Sequence, residues 1–135
     1  MPLEVTHTAL ATAAVMASVR EGGSPFRLFL ADLLVFFRDT YKRVFGFDDP
    51  PLHDPCAVAY VIDPSLFVVK HMRVDVECAS ELCMGQTVVD VWGSSGKAKN
   101  VRVATSMNVA AFWGLVLAAI AAADGASPLN QPRAV

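Results

Sequence analysis

Charge is sparse in this chain. Asp, Glu, Lys and Arg make up only 18% of its 135 residues, and the formal net charge is −2. The 11 basic side chains are scattered and form no stripe that could track a phosphate backbone, so a nucleic-acid partner is not expected. Cysteine is scarce and odd in number. Cys56, Cys78 and Cys83 cannot make a disulfide framework, and no second Cys or His pair stands near Cys78 and Cys83 to complete a zinc site. Buried or bystander thiols in a reducing, cytoplasmic setting are the expectation. A bilayer-spanning run is missing too. The apolar, uncharged segment 109–123 falls short of the roughly 20 residues a membrane core needs, which predicts a buried helix and no membrane partner. Met1 is followed by Pro2-Leu3-Glu4 without a basic lead, so no secretory signal is expected. Internal repeats and low-complexity linkers are absent.

Apolar surface is plentiful. Hydrophobic residues make up 54% of the chain, more than a soluble domain of this size ordinarily carries. The length suits one domain, with a core that buries about two thirds of the surface the unfolded chain exposes. The apolar surplus asks for further cover, by self-association or by another polypeptide.

Residues 8–20 favour helix, stopped by Gly22-Gly23. Ser24 is placed to cap a second helix with Pro25 at its first position, where the missing N–H costs nothing. From Phe26 to about Phe45, apolar residues such as Phe29, Leu33, Phe37, Tyr41 and Val44 recur at spacings of three and four, with charges between them. Gly46 ends that helix, and Pro50-Pro51 keeps the next residues extended or turned. A short helix then runs from Pro55 to a stop before Pro64. Alternation at 73–77 and 87–92 predicts two antiparallel strands with turn material at 84–86, and 101–105 reads as a third. Asn108 caps the closing helix over 109–123.

The chemistry is concentrated between the prolines of "PPLHDP". Asp54, ahead of Pro55, is a good helix N-cap, its carboxylate accepting backbone N–H groups and favoured by the helix dipole. His53 suits a loop histidine holding one backbone hydrogen bond equally with a functional imidazole. His71 fits a surface position, and Trp92 and Trp113 fit core or interface aromatics.

The longer phrase "PPLHDPCAVAYVIDPSLF", residues 50–67, closely resembles the carboxy-terminal signature of the inosine-uridine-preferring nucleoside hydrolases, a calcium-dependent family that cleaves the N-glycosidic bond of ribonucleosides. "PLEVTHTAL" (2–10), "SPFRLFLADLLVFFRDTYKRVFGF" (24–47), "VDVECASELCMGQTVVDVWG" (74–93) and "NVAAFWGLVLAAI" (108–120) resemble that family's carboxy-terminal segment in the same order. The resemblance implies an α/β fold: part of an open Rossmann-like sheet with flanking helices, helix-rich in this portion, with a small antiparallel strand element. It begins in a strand at "PLEV". Residues 1–124 would be the carboxy-terminal part of a nucleoside hydrolase domain and 125–135 a flexible tail.

Three site residues follow from the resemblance. His53 matches the histidine read as a general acid toward the departing base, a task suited to an imidazole because its proton is available near neutral pH. Asp54 matches an aspartate that ligates the catalytic Ca²⁺, a hard cation served by oxygen donors. Tyr41 matches the aromatics that fold over the bound nucleoside. His7, in "EVTH", belongs to the resemblance without an assigned role.

The family's aspartate-rich D-x-D-P-G-x-D-D signature, which supplies the general base and most calcium ligands, has no counterpart in these residues, nor has its ribose-gripping segment. One carboxylate cannot hold an ion that takes six to eight oxygens. The chain alone is therefore expected to bind calcium poorly and to turn over little nucleoside. Its partners are a ribonucleoside once the site is completed, and either further copies of itself or a missing amino-terminal half. The alternative is a non-catalytic remnant that self-associates or docks on a full-length relative.

Overall fold

The structure, a computed structural model, describes residues 1–131. In chain order it comprises α1 (Leu3–Thr6), α2 (Ala13–Arg20), α3 (Pro25–Phe45), α4 (Asp54–Ile62), β1 (Phe67–Val76), β2 (Thr87–Asp90), β3 (Val101–Met107) and α5 (Val109–Ala126), with 3₁₀ turns at Pro64–Leu66 and Pro128–Asn130. This is a mixed α/β arrangement around one small antiparallel sheet, of order β2-β1-β3.

Helix α3 starts and stops where its sequence directs. The Ser24 hydroxyl accepts from the Arg27 N–H at 3.2 Å, Pro25 occupies the first turn, and Gly46 closes the helix at φ +75°, a left-handed conformation that suits a residue without Cβ. Asn108 caps α5 in the same way, accepting from the Ala111 N–H at 3.1 Å. The central strand β1 is longer than the alternation at 73–77 implies, because Phe67–Met72 pair with β3 while Arg73–Val76 pair with β2. Beyond the end of β3 pairing, the Asn100 side chain replaces a backbone: its amide accepts from Val74 N–H at 2.8 Å and donates to Val74 C=O at 2.9 Å.

Two local expectations are corrected at the amino-terminal end. "PLEV" forms one helical turn, not a strand. Its N–H groups find acceptors within the turn, Val5 and Thr6 on Pro2 C=O and His7 on Leu3 C=O, whereas a strand would need a neighbour to pair with. The helix expected over 8–20 begins only at Ala13, capped by Thr12. The preceding residues are drawn into an extended pairing with the diproline segment: Ala11 N–H donates to Pro50 C=O at 2.9 Å and Leu52 N–H to Ala9 C=O at 3.0 Å.

The core gathers Val5, Ala9, Cys56, Ala59, Phe67, Phe112 and Trp113, with Phe112 and Cys56 fully buried. Trp92, by contrast, is 92% exposed. Helix α5 is long and apolar enough, by length and composition, to cross a membrane, and it is less covered than a buried helix would be, with Phe112 and Trp113 its only buried residues. Its far end is clasped to α3. Asp124 accepts from Ser24 Oγ at 2.5 Å and from Arg27 Nε at 2.8 Å, and Asn130 donates to Asp124 while accepting from Phe26 N–H at 3.0 Å. The segment expected as a tail from residue 125 thus starts with the last turn of α5 and a 3₁₀ turn; residues 132–135 lie outside the described ones.

Candidate functional site

The extended pairing of residues 9–11 with 50–52 is what assembles the site. Pro50 and Pro51 are fully buried, and their fixed φ holds the strand-like approach to α4. Thr6 and His7, at the end of α1, are thereby set beside His53 at the start of α4. Tyr41 reaches the same place from the last turns of α3.

The His53 ring is half-buried and held at both nitrogens. Thr6 Oγ1 lies 2.8 Å from Nδ1, and the Tyr41 hydroxyl lies 2.8 Å from Nε2. Around this pair the rings of His7, Phe37, Phe45 and Phe47 gather into an aromatic box that is open to solvent at Phe45 and Phe47. His7 meets His53 edge to face at 5.5 Å between centroids, and Phe47 meets His7 at 5.4 Å and stacks on Tyr41 at 6.1 Å. Tyr41 also contacts Phe37 at 4.6 Å and Phe45 at 5.0 Å. The shapes favour edge-to-face and offset contacts of the kind aromatic quadrupoles prefer.

Asp54 departs from the expected cap. The N-cap position of α4 is His53, whose side chain makes no cap hydrogen bond, and Asp54 is the first helical residue. The reason is local: His53 C=O already accepts from Cys56 N–H at 3.1 Å, which draws the helix start back by one residue. Asp54 is exposed and lines, with Pro55 and Phe26, the edge of an apolar groove between α4 and α5 instead of the aromatic box. Its negative charge still sits favourably in the first turn.

The described residues do not by themselves fit a calcium ion. Among them no cluster of three or more His, Cys, Asp or Glu side chains could hold a metal. Asp48, near the box, is engaged by Lys42 at 3.0 Å. Asp54 offers one carboxylate where such an ion takes six to eight oxygens.

Of the three expected site residues, the structure brings Tyr41 and His53 into contact and leaves Asp54 on a different concavity. Sequence reasoning missed Thr6 and the placement of His7 and Phe47. The signal for Thr6 lay in the segment "EVTH", but the pairing across residues 9–11 and 50–52 that unites it with His53 has no local signature.

A sequence model of the family described as inosine-uridine preferring nucleoside hydrolase matches residues 1–114. The chain is 46% identical over 126 residues to a probable ribonucleoside hydrolase of Dictyostelium discoideum, covering 89% of this chain and 37% of that relative. It is 39% identical over 121 residues to an inosine-uridine preferring nucleoside hydrolase of Leishmania major, covering 87% of this chain and 37% of the relative. Among solved structures, a purine-preferring ribonucleoside hydrolase from Gardnerella vaginalis superimposes with a TM-score of 0.78 at 26% identity, over 93% of this chain and 40% of that one. The chain thus spans little more than a third of the length of these curated relatives.

Proposed function

This chain belongs to the inosine-uridine preferring nucleoside hydrolase family, and from that premise we propose that it contributes the leaving-group side of a site that hydrolyses the N-glycosidic bond of ribonucleosides. The observation that carries the proposal is the 2.8 Å hydrogen bond between Tyr41 and His53 within an aromatic box. A departing purine or pyrimidine needs a flat apolar wall and a proton, and the Tyr41–His53 pair offers both.

The chemistry balances as a displacement by water. The electron pair of the C1′–N bond goes to the base, which takes a proton from the Tyr41–His53 pair. Water adds its oxygen to C1′ and loses its proton to a carboxylate base. Stabilisation of an oxocarbenium-like ribose makes the same demands as glycoside hydrolysis. Among the described residues we assign none the part of that carboxylate base or of the ribose grip. Asp54 is proposed as a single carboxylate toward the calcium ion that the resemblance implies, and no step is assigned to that ion. The substrate class is a purine or pyrimidine ribonucleoside.

A second reading, an association module that docks on a full-length relative or on itself, draws on the exposed apolar side chains. Phe36 is 72% exposed, Val61 81% and Ile62 63%, and the apolar groove between α4 and α5 has a volume of about 480 Å³. Exposed apolar surface of this extent suits an interface.

The experiment is a chimaera in which residues 1–131 replace the matching segment of the Leishmania major relative. Release of hypoxanthine from inosine by the folded chimaera supports the enzyme reading. A chimaera that folds, by its circular dichroism and melting transition, yet releases no base overturns it in favour of the association reading.

A further inference from the structure

Strand β2 covers only part of β1. Their pairing runs from Val76 opposite Thr87 to Arg73 opposite Asp90, so Lys70, His71 and Met72 have no strand beside them on that edge. Past Asp90 the chain turns away. Asp90 fixes the turn, its carboxylate accepting from Ser94 N–H at 3.0 Å, Ser95 N–H at 2.9 Å and Ser95 Oγ at 2.6 Å, while Gly93 takes the left-handed φ of +70°. The chain returns at Asn100, whose N–H donates to Met72 C=O at 3.1 Å, and this brings Lys99 to the same edge. The space left is a hollow of about 370 Å³, lined by Lys70, His71, Met72, Asp90, Trp92 and Lys99 among others. Its size falls in the ~300–1,000 Å³ range of small-molecule sites.

The side chains of Lys70, His71 and Lys99 have no hydrogen-bond or ion-pair partner among the described residues, whereas nearby Arg73 and Lys97 share the Asp75 carboxylate. The one carboxylate in the lining, Asp90, is spent on the turn, whose donors hold its pKa at about 2. Two ammonium groups therefore face a single carboxylate that is already hydrogen-bonded, and the balance in the hollow is positive. Trp92 is almost wholly exposed and has no aromatic partner among the described residues. We propose that this hollow binds a nucleotide, with the phosphate monoester on Lys70 and Lys99 and the base stacked on Trp92. Lysine takes phosphate as a compact point charge, and stacking on an aromatic ring is open to any base because every base has a π-face. Inorganic phosphate would leave Trp92 unused, and a nucleoside would leave the lysines unused; a nucleotide engages both. The hollow shares no lining residue with the Tyr41–His53 box, so the inference goes beyond the proposed hydrolysis and does not rest on it.

The test is calorimetric titration of the 135-residue chain with inosine 5′-monophosphate, inosine and inorganic phosphate, with tryptophan emission followed in parallel. Trp113 is buried in the core, so quenching reports on Trp92. The nucleotide should bind saturably, quench the emission and bind about 10-fold or more tighter than inosine or phosphate. Lys70→Gln and Lys99→Gln should each weaken it by about 5-fold or more, and Trp92→Ala by a similar factor. All three side chains are exposed, so the variants should keep the native melting transition. Added salt should weaken binding, as screening of the lysines requires, and Tyr41→Phe should leave the affinity unchanged. Absence of saturable binding at millimolar nucleotide overturns the inference. So does equal affinity for inosine or for phosphate, native affinity in the lysine and Trp92 variants, or loss of binding in Tyr41→Phe. Base release by the chimaera is read separately, so failure of the hydrolase reading leaves this one standing.

Discussion

The Tyr41 hydroxyl and His53 Nε2 lie 2.8 Å apart and join the end of α3 to the start of α4. Thr6 Oγ1 lies 2.8 Å from His53 Nδ1, so the proposed proton transfer from the imidazole to a departing base would run on the Tyr41 side. Two residues that share one proton path should behave as a unit when substituted.

In an active chimaera, Tyr41→Phe removes the hydroxyl and keeps the ring contacts with Phe37, Phe45 and Phe47. Tyr41→Phe and His53→Ala should each lower kcat/KM for inosine by about 10²-fold or more, and the double substitution should cost little beyond the larger single effect. Additive losses in the double-mutant cycle would separate the two residues.

Phe112 is fully buried on α5 and packs edge to face against Trp113 at 5.3 Å. Phe112→Ala should lower the unfolding free energy of the chain by about 3–5 kcal/mol, measured by urea denaturation. A loss under about 1 kcal/mol would mean that the core does not depend on this helix as described.

The clasp between α5 and α3 predicts an acid-labile contact. Hydrogen bonds from Ser24, Asn130 and Arg27 hold the Asp124 carboxyl below its ordinary pKa. A carboxylate whose folded pKa is depressed stabilises the fold above its unfolded pKa, about 4, and loses that stabilisation as pH falls through the folded value. Asp124→Asn should therefore melt lower than the native chain at neutral pH, and the difference should shrink progressively below about pH 4. Asp75, held at about 2 chiefly by Arg73, and Asp90, held at about 2 by Ser95, are common to both proteins and cancel in the difference. A melting difference independent of pH would contradict a clasp based on charge.

The three thiols should separate by reactivity. Cys56 is buried, its Sγ donates to Leu52 C=O at 3.1 Å, and burial pushes its pKa up to about 11, whereas Cys78 and Cys83 are exposed. The thiolate is the reactive form, so iodoacetamide at pH 8 should label Cys78 and Cys83 in the native chain and Cys56 only after unfolding. Labelling of Cys56 at a rate comparable with the other two would show that the core packed against α4 does not cover it.

Helix α3 was legible in full because its start and stop are written in adjacent residues, Ser24-Pro25 and Gly46, and its buried stripe repeats at helical spacing. The strands were legible in outline: Arg73–Val76 and Thr87–Asp90 alternate, but the lower half of β1 does not, since its partner is β3 across a bulge at Val68/Val69. At the site, His53 and Tyr41 were accessible through the resemblance. Thr6 was not, because a buried threonine in a helical turn looks the same whether or not a distant imidazole leans on it. The tertiary pairing of Ala9–Ala11 with Pro50–Leu52 decides that, and it also turned an expected helix into extended chain. Asp54 reads as a cap from its position before Pro55; only the carbonyl of His53, already holding Cys56 N–H, moves the helix start.

Protonation of a departing base by the Tyr41–His53 pair is tested most directly by comparing His53→Ala with the native residue, in the chimaera, on two substrates. One is inosine, whose base leaves poorly, and the other an activated aryl riboside, whose leaving group needs no proton. A leaving-group acid requires a loss of about 10²-fold or more in kcat/KM on inosine and little change on the aryl riboside. Equal losses on both substrates would contradict that role.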